Sequence, residues 1–399
     1  MINRLPPSVS TSVLTLIAGF VLSGCSGQSI PGSQLLGGQQ QASHITYKLK
    51  PLKEITSNVN AQVLWQVDTG TANREVKIHP YVTNGRVYTA TGRSVAAWDQ
   101  QSGKALWKVV VDDTVTGGVN GGDGMVYIGT RGGKALALDA DSGAIRWIAP
   151  VETEVLAVSE SNQGFVVFRT IDGKIHGIKS SNGEIVWQRQ QRTPQLSMYG
   201  ASAPVIVSSG VIAGFDNGKV AAYFLATGKP IWEITLSTAA GSTDLDKITD
   251  VDGRLKPLGN ALFATNANGR IVGANMNTGK VAWAKAFASY TGADANAKGV
   301  YSTNSQGHVF KLAPLSGQSI WKQDDLENRR PTAPTLTASG SHIIVGDQQG
   351  NLHWIDTTSG EMAARIAADP AGYSVPVVRS GDTVFALGRS GVLTAIQSQ

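Results

Sequence analysis

Gly133-Lys134-Ala135-Leu136-Ala137-Leu138-Asp139-Ala140-Asp141-Ser142-Gly143-Ala144-Ile145-Arg146-Trp147 is the stretch from which the rest of the chain can be read. A glycine opens a short apolar strand. A polar turn closes on Ser-Gly, and three residues later comes a tryptophan. The same order returns with Gly92, Ser102-Gly103 and Trp107, and again with Gly173, Asn182-Gly183 and Trp187. Further copies run to Trp232, Trp283 and Trp321. A copy opening at Gly350 has Ala363 and Ala364 where the tryptophan is expected, and one opening at Gly391 runs out of chain. The leading glycines lie 38 to 51 residues apart, the length of a four-stranded propeller blade. Ser-Gly and Asn-Gly supply the positive φ angles that tight turns need.

Unbroken apolar runs such as Ala135 to Leu138 suit strands buried on both faces, as blades require. Gln62-Val63-Leu64-Trp65-Gln66-Val67 is a tryptophan strand with no copy before it, while the last copy lacks its own. The two halves complete one another. The expected fold is therefore all-β: an eight-bladed propeller over 61–399, four antiparallel strands per blade, its ring closed by the N-terminal strand. Closure removes the open sheet edges at the seam. The tryptophans at the repeated position are expected to pack between blades.

Composition agrees. The chain has 399 residues, 46 of them glycine, with 16% charged and 41% hydrophobic residues. That is enough apolar material for a large core and excludes whole-chain disorder. The net charge of +5 is scattered, with no basic block, and gives no support for nucleic-acid binding. A single cysteine, Cys25, excludes an internal disulfide, a cysteine zinc cluster and a redox pair.

The N-terminus reads as an address. Arg4 precedes an apolar run from Val13 to Val21, too short to span a bilayer, which ends in Leu22-Ser23-Gly24-Cys25. This resembles the bacterial lipobox, which implies a signal peptide over 1–24 and lipidation of Cys25. Ser26, rather than Asp, then suggests the outer membrane. Residues 25–60 read as the lipidated cysteine and a flexible tether, with a span of roughly 30 Å.

Chemistry is sparse. The six histidines form no HxxxH or HExxH pattern, and His176, His308 and His353 read as structural residues within strands. No nucleophile elbow or phosphate-binding loop stands in its required context, so no catalytic, metal or cofactor residue is expected. Two segments stand out. Asp250-Val251-Asp252 sits in the longest inter-repeat stretch, readable as a solvated loop, a calcium site or a surface for a basic partner. Leu196, Met198 and Tyr199 place bulky groups in another connection, either as blade packing or as an interface. Both segments follow a tryptophan strand, and connections of that kind leave one face of a propeller. Belonging to consecutive blades, they should be neighbours, an apolar cluster beside a charged rim.

These repeats resemble the quinoprotein-type propeller repeat. Nearly the whole mature chain resembles the BamB family of propeller lipoproteins of the outer-membrane β-barrel assembly machinery. The most specific matches are Leu196-Ser197-Met198-Tyr199-Gly200-Ala201-Ser202-Ala203-Pro204, Gly214-Phe215-Asp216-Asn217-Gly218, and Gly241 through Asp246 to Asp252. The resemblance implies a non-enzymatic scaffold, lipid-anchored in the outer membrane and facing the periplasm. It implies binding to the periplasmic POTRA domains of BamA and a part in delivering or organising unfolded outer-membrane proteins for folding and insertion, with direct contact between those proteins and the propeller left open. The family's partner-contact positions fall on Leu196, Met198, Asp250 and Asp252, and on Tyr199, where the family commonly has Arg. Two alternatives are a periplasmic quinone-cofactor dehydrogenase on a similar propeller and a general peptide-binding propeller acting by β-augmentation. Such dehydrogenases are generally longer and often carry adjacent cysteines, which this chain lacks.

Overall fold

The computed structural model describes residues 48–71, 76–238, 243–244 and 247–398. The signal peptide expected over 1–24, Cys25 and the tether to residue 47 lie outside the described residues, as do Gly241, Ser242, Leu245 and Asp246.

Among the described residues, thirty-two strands form eight four-stranded antiparallel sheets. Seven are built from four consecutive strands each. The eighth joins β30 (Val378–Ser380), β31 (Thr383–Leu387) and β32 (Val392–Ser398) to β1 (Ala61–Asp68) as the outermost strand. Trp65 is registered with Ala395 and Val67 with Leu393. The expected closure of an eight-bladed propeller by its N-terminal strand is what the structure has.

Within a blade, burial follows strand position. In the second blade β7 (Met125–Thr130) and β8 (Lys134–Asp139) are buried on both faces, whereas β9 (Ile145–Pro150) alternates. The middle strands are sandwiched between neighbouring blades, and the outermost strand keeps one face toward water. Each core cluster spans two blades. Tyr127, Ala137 and Trp147, for example, pack with Val166, Phe168 and Ile178 of the third.

The repeated tryptophan and the repeated turn glycine meet across the blade junction. Trp65 faces Gly103, Trp107 Gly143, Trp147 Gly183, Trp187 Gly228, Trp232 Gly279, Trp283 Gly317 and Trp321 Gly360. Each indole N–H also donates to a carbonyl of that next blade, as Trp147 does to Ser180 at 2.8 Å. Indole and glycine thus interlock at seven junctions.

The eighth junction has no such pair, because Ala363 and Ala364 stand in the tryptophan's place and the last blade takes β1 as its fourth strand, with no glycine turn between its third and fourth strands. Residues 48–60 cover this gap. Val59 is buried with Ala363, Ala364 and Trp354, and Asn58 N–H donates to Ala363 O at 3.0 Å. Upstream, Lys53 pairs with Asp325 at 2.9 Å, and Lys50 pairs with Asp324. Arg329 and Arg365 donate to the Lys50 and Lys53 carbonyls, both at 3.1 Å. Residues 48–60, expected as part of the tether, instead form a strap seated on the propeller. Its partners lie more than 270 residues away in sequence, which is why no local pattern marks it.

Candidate partner-docking site

Strand direction alternates within a blade, so connections between blades and turns between second and third strands share one face. The first candidate segment joins β13 (Ile185–Gln190) to β14 (Val205–Val207), and the second joins β17 (Pro230–Thr235) to β18 (Lys256–Leu258). They are neighbours, as expected: Met198 N–H donates to the Asp250 carboxylate.

Their characters differ from expectation. Leu196 is 44% exposed and Tyr199 36%, while Met198 is half-buried. Asp250, however, is fully buried and Asp252 only 8% exposed. The acidic pair is thus not a solvated rim. It lies beneath the apolar loop and faces inward.

What it faces is Arg169, at the end of β11 (Phe165–Thr170), with no exposed surface. The guanidinium donates to Asp216 and lies 4.0 Å from Asp252. Its flat face stands over Phe215, 5.6 Å from the ring centre. Thr249 Oγ1 donates to the Asp216 carbonyl at 2.9 Å and ties the acidic segment to the same turn. Gly200 closes the loop onto this cluster, where a Cβ would stand 3.2 Å from Asp252 Oδ2. Burial, then the charge of Asp252, pushes the Asp250 carboxyl up to about 7, although the Met198 N–H favours its charged form. Burial likewise raises Asp252 to about 6, with Arg169 and Lys77 pulling the other way. Removing charge from water is costly, and Arg169 with Lys77 does not offset three carboxylates.

Tyr199 is fastened separately. Its hydroxyl donates to Glu154 at 2.6 Å, and Arg131 Nε meets the same carboxylate oxygen at 3.3 Å. Burial and the neighbouring Glu154 push the phenol up to about 12. Ile171 N–H donates to the Glu154 carbonyl at 2.8 Å, and Ile171 is 41% exposed. Ile171, Leu196 and Tyr199 therefore give this face an apolar surface drawn from the third blade and its exit connection.

Arg169 and Glu154 were not singled out in the sequence, and Asp216 only as part of a turn that matches the family. A signal existed for the first, since an arginine ends the apolar run Phe165-Val166-Val167-Phe168. The strand histidines are buried, and His353 is held by Asp347 at 3.0 Å. Among the described residues, no group of three or more His, Cys, Asp or Glu could hold a metal ion.

Fold and surface together define an eight-bladed propeller that presents an exposed apolar loop backed by buried charge. The family model described as outer membrane protein assembly factor BamB matches residues 91–323 and 305–399, and the chain belongs to that family. The BamB of Kangiella koreensis is 38% identical over 360 residues, 90% of this chain and 92% of that one. The crystal structure of BamB from Moraxella catarrhalis superposes with a TM-score of 0.77 at 26% identity, covering 84% of this chain and 99% of that one. A quinohemoprotein alcohol dehydrogenase from Comamonas testosteroni shares the fold alone, with a TM-score of 0.66 at 13% identity over 84% of this chain and 76% of that one. The chain is accordingly an outer-membrane protein assembly factor and not an enzyme.

Proposed function

We propose that the propeller is a scaffold that docks onto the periplasmic POTRA domains of BamA through Leu196, Met198 and Tyr199, and so assists folding and insertion of outer-membrane proteins. The observation that carries this reading is the pairing of an exposed apolar loop with a buried polar support. Leu196 is open to solvent, while the Met198 backbone two residues on is tied down by Asp250. A loop ordered before contact loses little entropy on binding. Asp250 and Asp252 belong to this site as its support rather than as contacts. We infer also that Cys25 carries the lipid that holds the protein at the outer membrane, facing the periplasm, with the tether ending where the strap begins.

The test is binding of purified BamA periplasmic region to the intact chain and to Leu196→Ala. A loss of about ten-fold or more, as for a central apolar contact, with unchanged melting temperature supports the reading. Equal affinity moves the interface elsewhere.

One observation favours a second contact, with unfolded clients. The outermost strands carry exposed apolar residues just before the tryptophan, among them Leu64 at 43%, Leu106 at 45% and Ile320 at 52%. These strands are sheet edges, and an extended apolar segment can add to such an edge. Crosslinking of an unfolded outer-membrane protein to a photoreactive residue at position 106 tests it.

A further inference from the structure

The residue that organises the docking loop is not on it. Arg169 lies in a strand of the third blade, has no exposed surface, and reaches the acidic segment of the fourth-to-fifth connection. That segment in turn holds the loop backbone at Met198. We propose that Arg169 is the positioning residue of the docking loop, acting through Asp252 and Asp250, and that the hold depends on proton uptake because three buried carboxylates, Asp216, Asp250 and Asp252, face two cations, Arg169 and Lys77.

The charges facing the cluster come from four elements. From β11 comes Arg169, and from the turn after β15 (Gly210–Gly214) comes Asp216, which takes one guanidinium N–H. The fourth-to-fifth connection gives Asp250 and Asp252. The segment before β2 (Tyr81–Thr83) gives Lys77, whose Nζ lies 3.4 Å from where a Cβ on Gly200 would stand. The docking loop itself contributes only the Met198 N–H. Both Asp252 oxygens and Asp250 Oδ1 are buried without a hydrogen-bond partner, as are Arg169 Nε and Nη1 and the Ser202 hydroxyl.

With Asp216 satisfied by Arg169 and one further carboxylate balanced by Lys77, the last ionised carboxylate is surplus in a water-poor site. A proton there relieves the repulsion. Lifting the loop relieves it too, by hydrating both groups. The seated loop thus takes up a proton more readily than the lifted one. Linkage then makes seating strongest in acid and weakens it as pH rises through the range where the seated pair ionises. The raised carboxyls, at about 6 and about 7, place that range near neutrality.

That this loop is the docking surface rests on the reading above; its fastening is tested without a partner. Amide hydrogen exchange of residues 195–200 in the intact chain, corrected for intrinsic rate, is followed from pH 5.5 to 7.5. Met198 protection should fall about ten-fold, since one linked proton gives at most a decade per pH unit. Asp252→Asn should keep protection and flatten the profile. Arg169→Met should lose protection at every pH, and Arg169→Lys should restore part of it. A flat wild-type profile, or an unchanged slope in Asp252→Asn, overturns the proposal, and both measurements stand even if Arg169→Met fails to fold. Because BamA is absent, failure here leaves the docking reading intact, and failure of BamA binding leaves this result intact.

Discussion

Trp187 of the third blade rests on Gly228 of the fourth: a Cβ on Gly228 would stand 2.6 Å from the indole, and Trp187 Nε1 donates to Leu225 O at 2.6 Å. Gly228 has φ +64, so the turn needs glycine for its backbone as well as for the space. Trp187→Ala should cost about 3–5 kcal/mol, as for other buried aromatic truncations. Gly228→Ala should destabilise as well, although it adds only a methyl. Denaturant unfolding of both variants measures this, and a wild-type midpoint for Gly228→Ala would refute the interlock.

The strap predicts a weak point at the ring seam. Val59 is the apolar plug at the junction that lacks the repeated tryptophan–glycine pair. Val59→Ala removes two buried carbons and should cost about 2 kcal/mol. Proteolysis near residues 48–60 should accelerate in parallel. The exposed Lys53, paired with Asp325, should matter less, because partly solvated ion pairs contribute about 0–1 kcal/mol.

Tyr199 separates ring from hydroxyl. Its OH is already committed to Glu154. Tyr199→Phe should therefore keep BamA affinity within about three-fold and cost about 0.5–1.5 kcal/mol of stability. Tyr199→Ala should weaken binding more than Tyr199→Phe. Titration calorimetry with the BamA periplasmic region distinguishes them, and equal loss in both variants would mean that the hydroxyl meets the partner.

Acid should act on the fold through His176. It is 1% exposed, and burial lowers its pKa to about 4, with Asp172 opposing. The unfolded imidazole takes a proton near 6.5 and the folded one does not, so stability present above that value is lost as pH falls toward 4. The loss from this residue is up to about 3 kcal/mol. His176→Leu should flatten the decline of melting temperature between pH 6.5 and 4. An unchanged decline would remove His176 from the account.

The period of the repeat, the strand left over at each end and the tryptophan position were all legible in the sequence. Each depends on spacing along the chain, and a blade is built from residues close in sequence. The connections at Leu196 to Tyr199 and at Asp250 to Asp252 could be placed side by side for the same reason, since consecutive blades are neighbours in any ring.

What the carboxylates do was not legible. Asp250-Val251-Asp252 in a long connection reads as a solvated loop, a calcium site or a surface for a basic partner, because nothing nearby in sequence removes it from water. Arg169 does so from another blade, and the apolar loop above seals it in. The strap follows the same logic, as Lys50 looks like tether until Asp324 is brought beside it. The sequence by itself determined the ring, its closure and the identity of its anchors, because these follow from local periodicity. Only the tertiary structure decided which charges are buried and which loop stands exposed, because burial is set by residues that only the closed ring brings into contact.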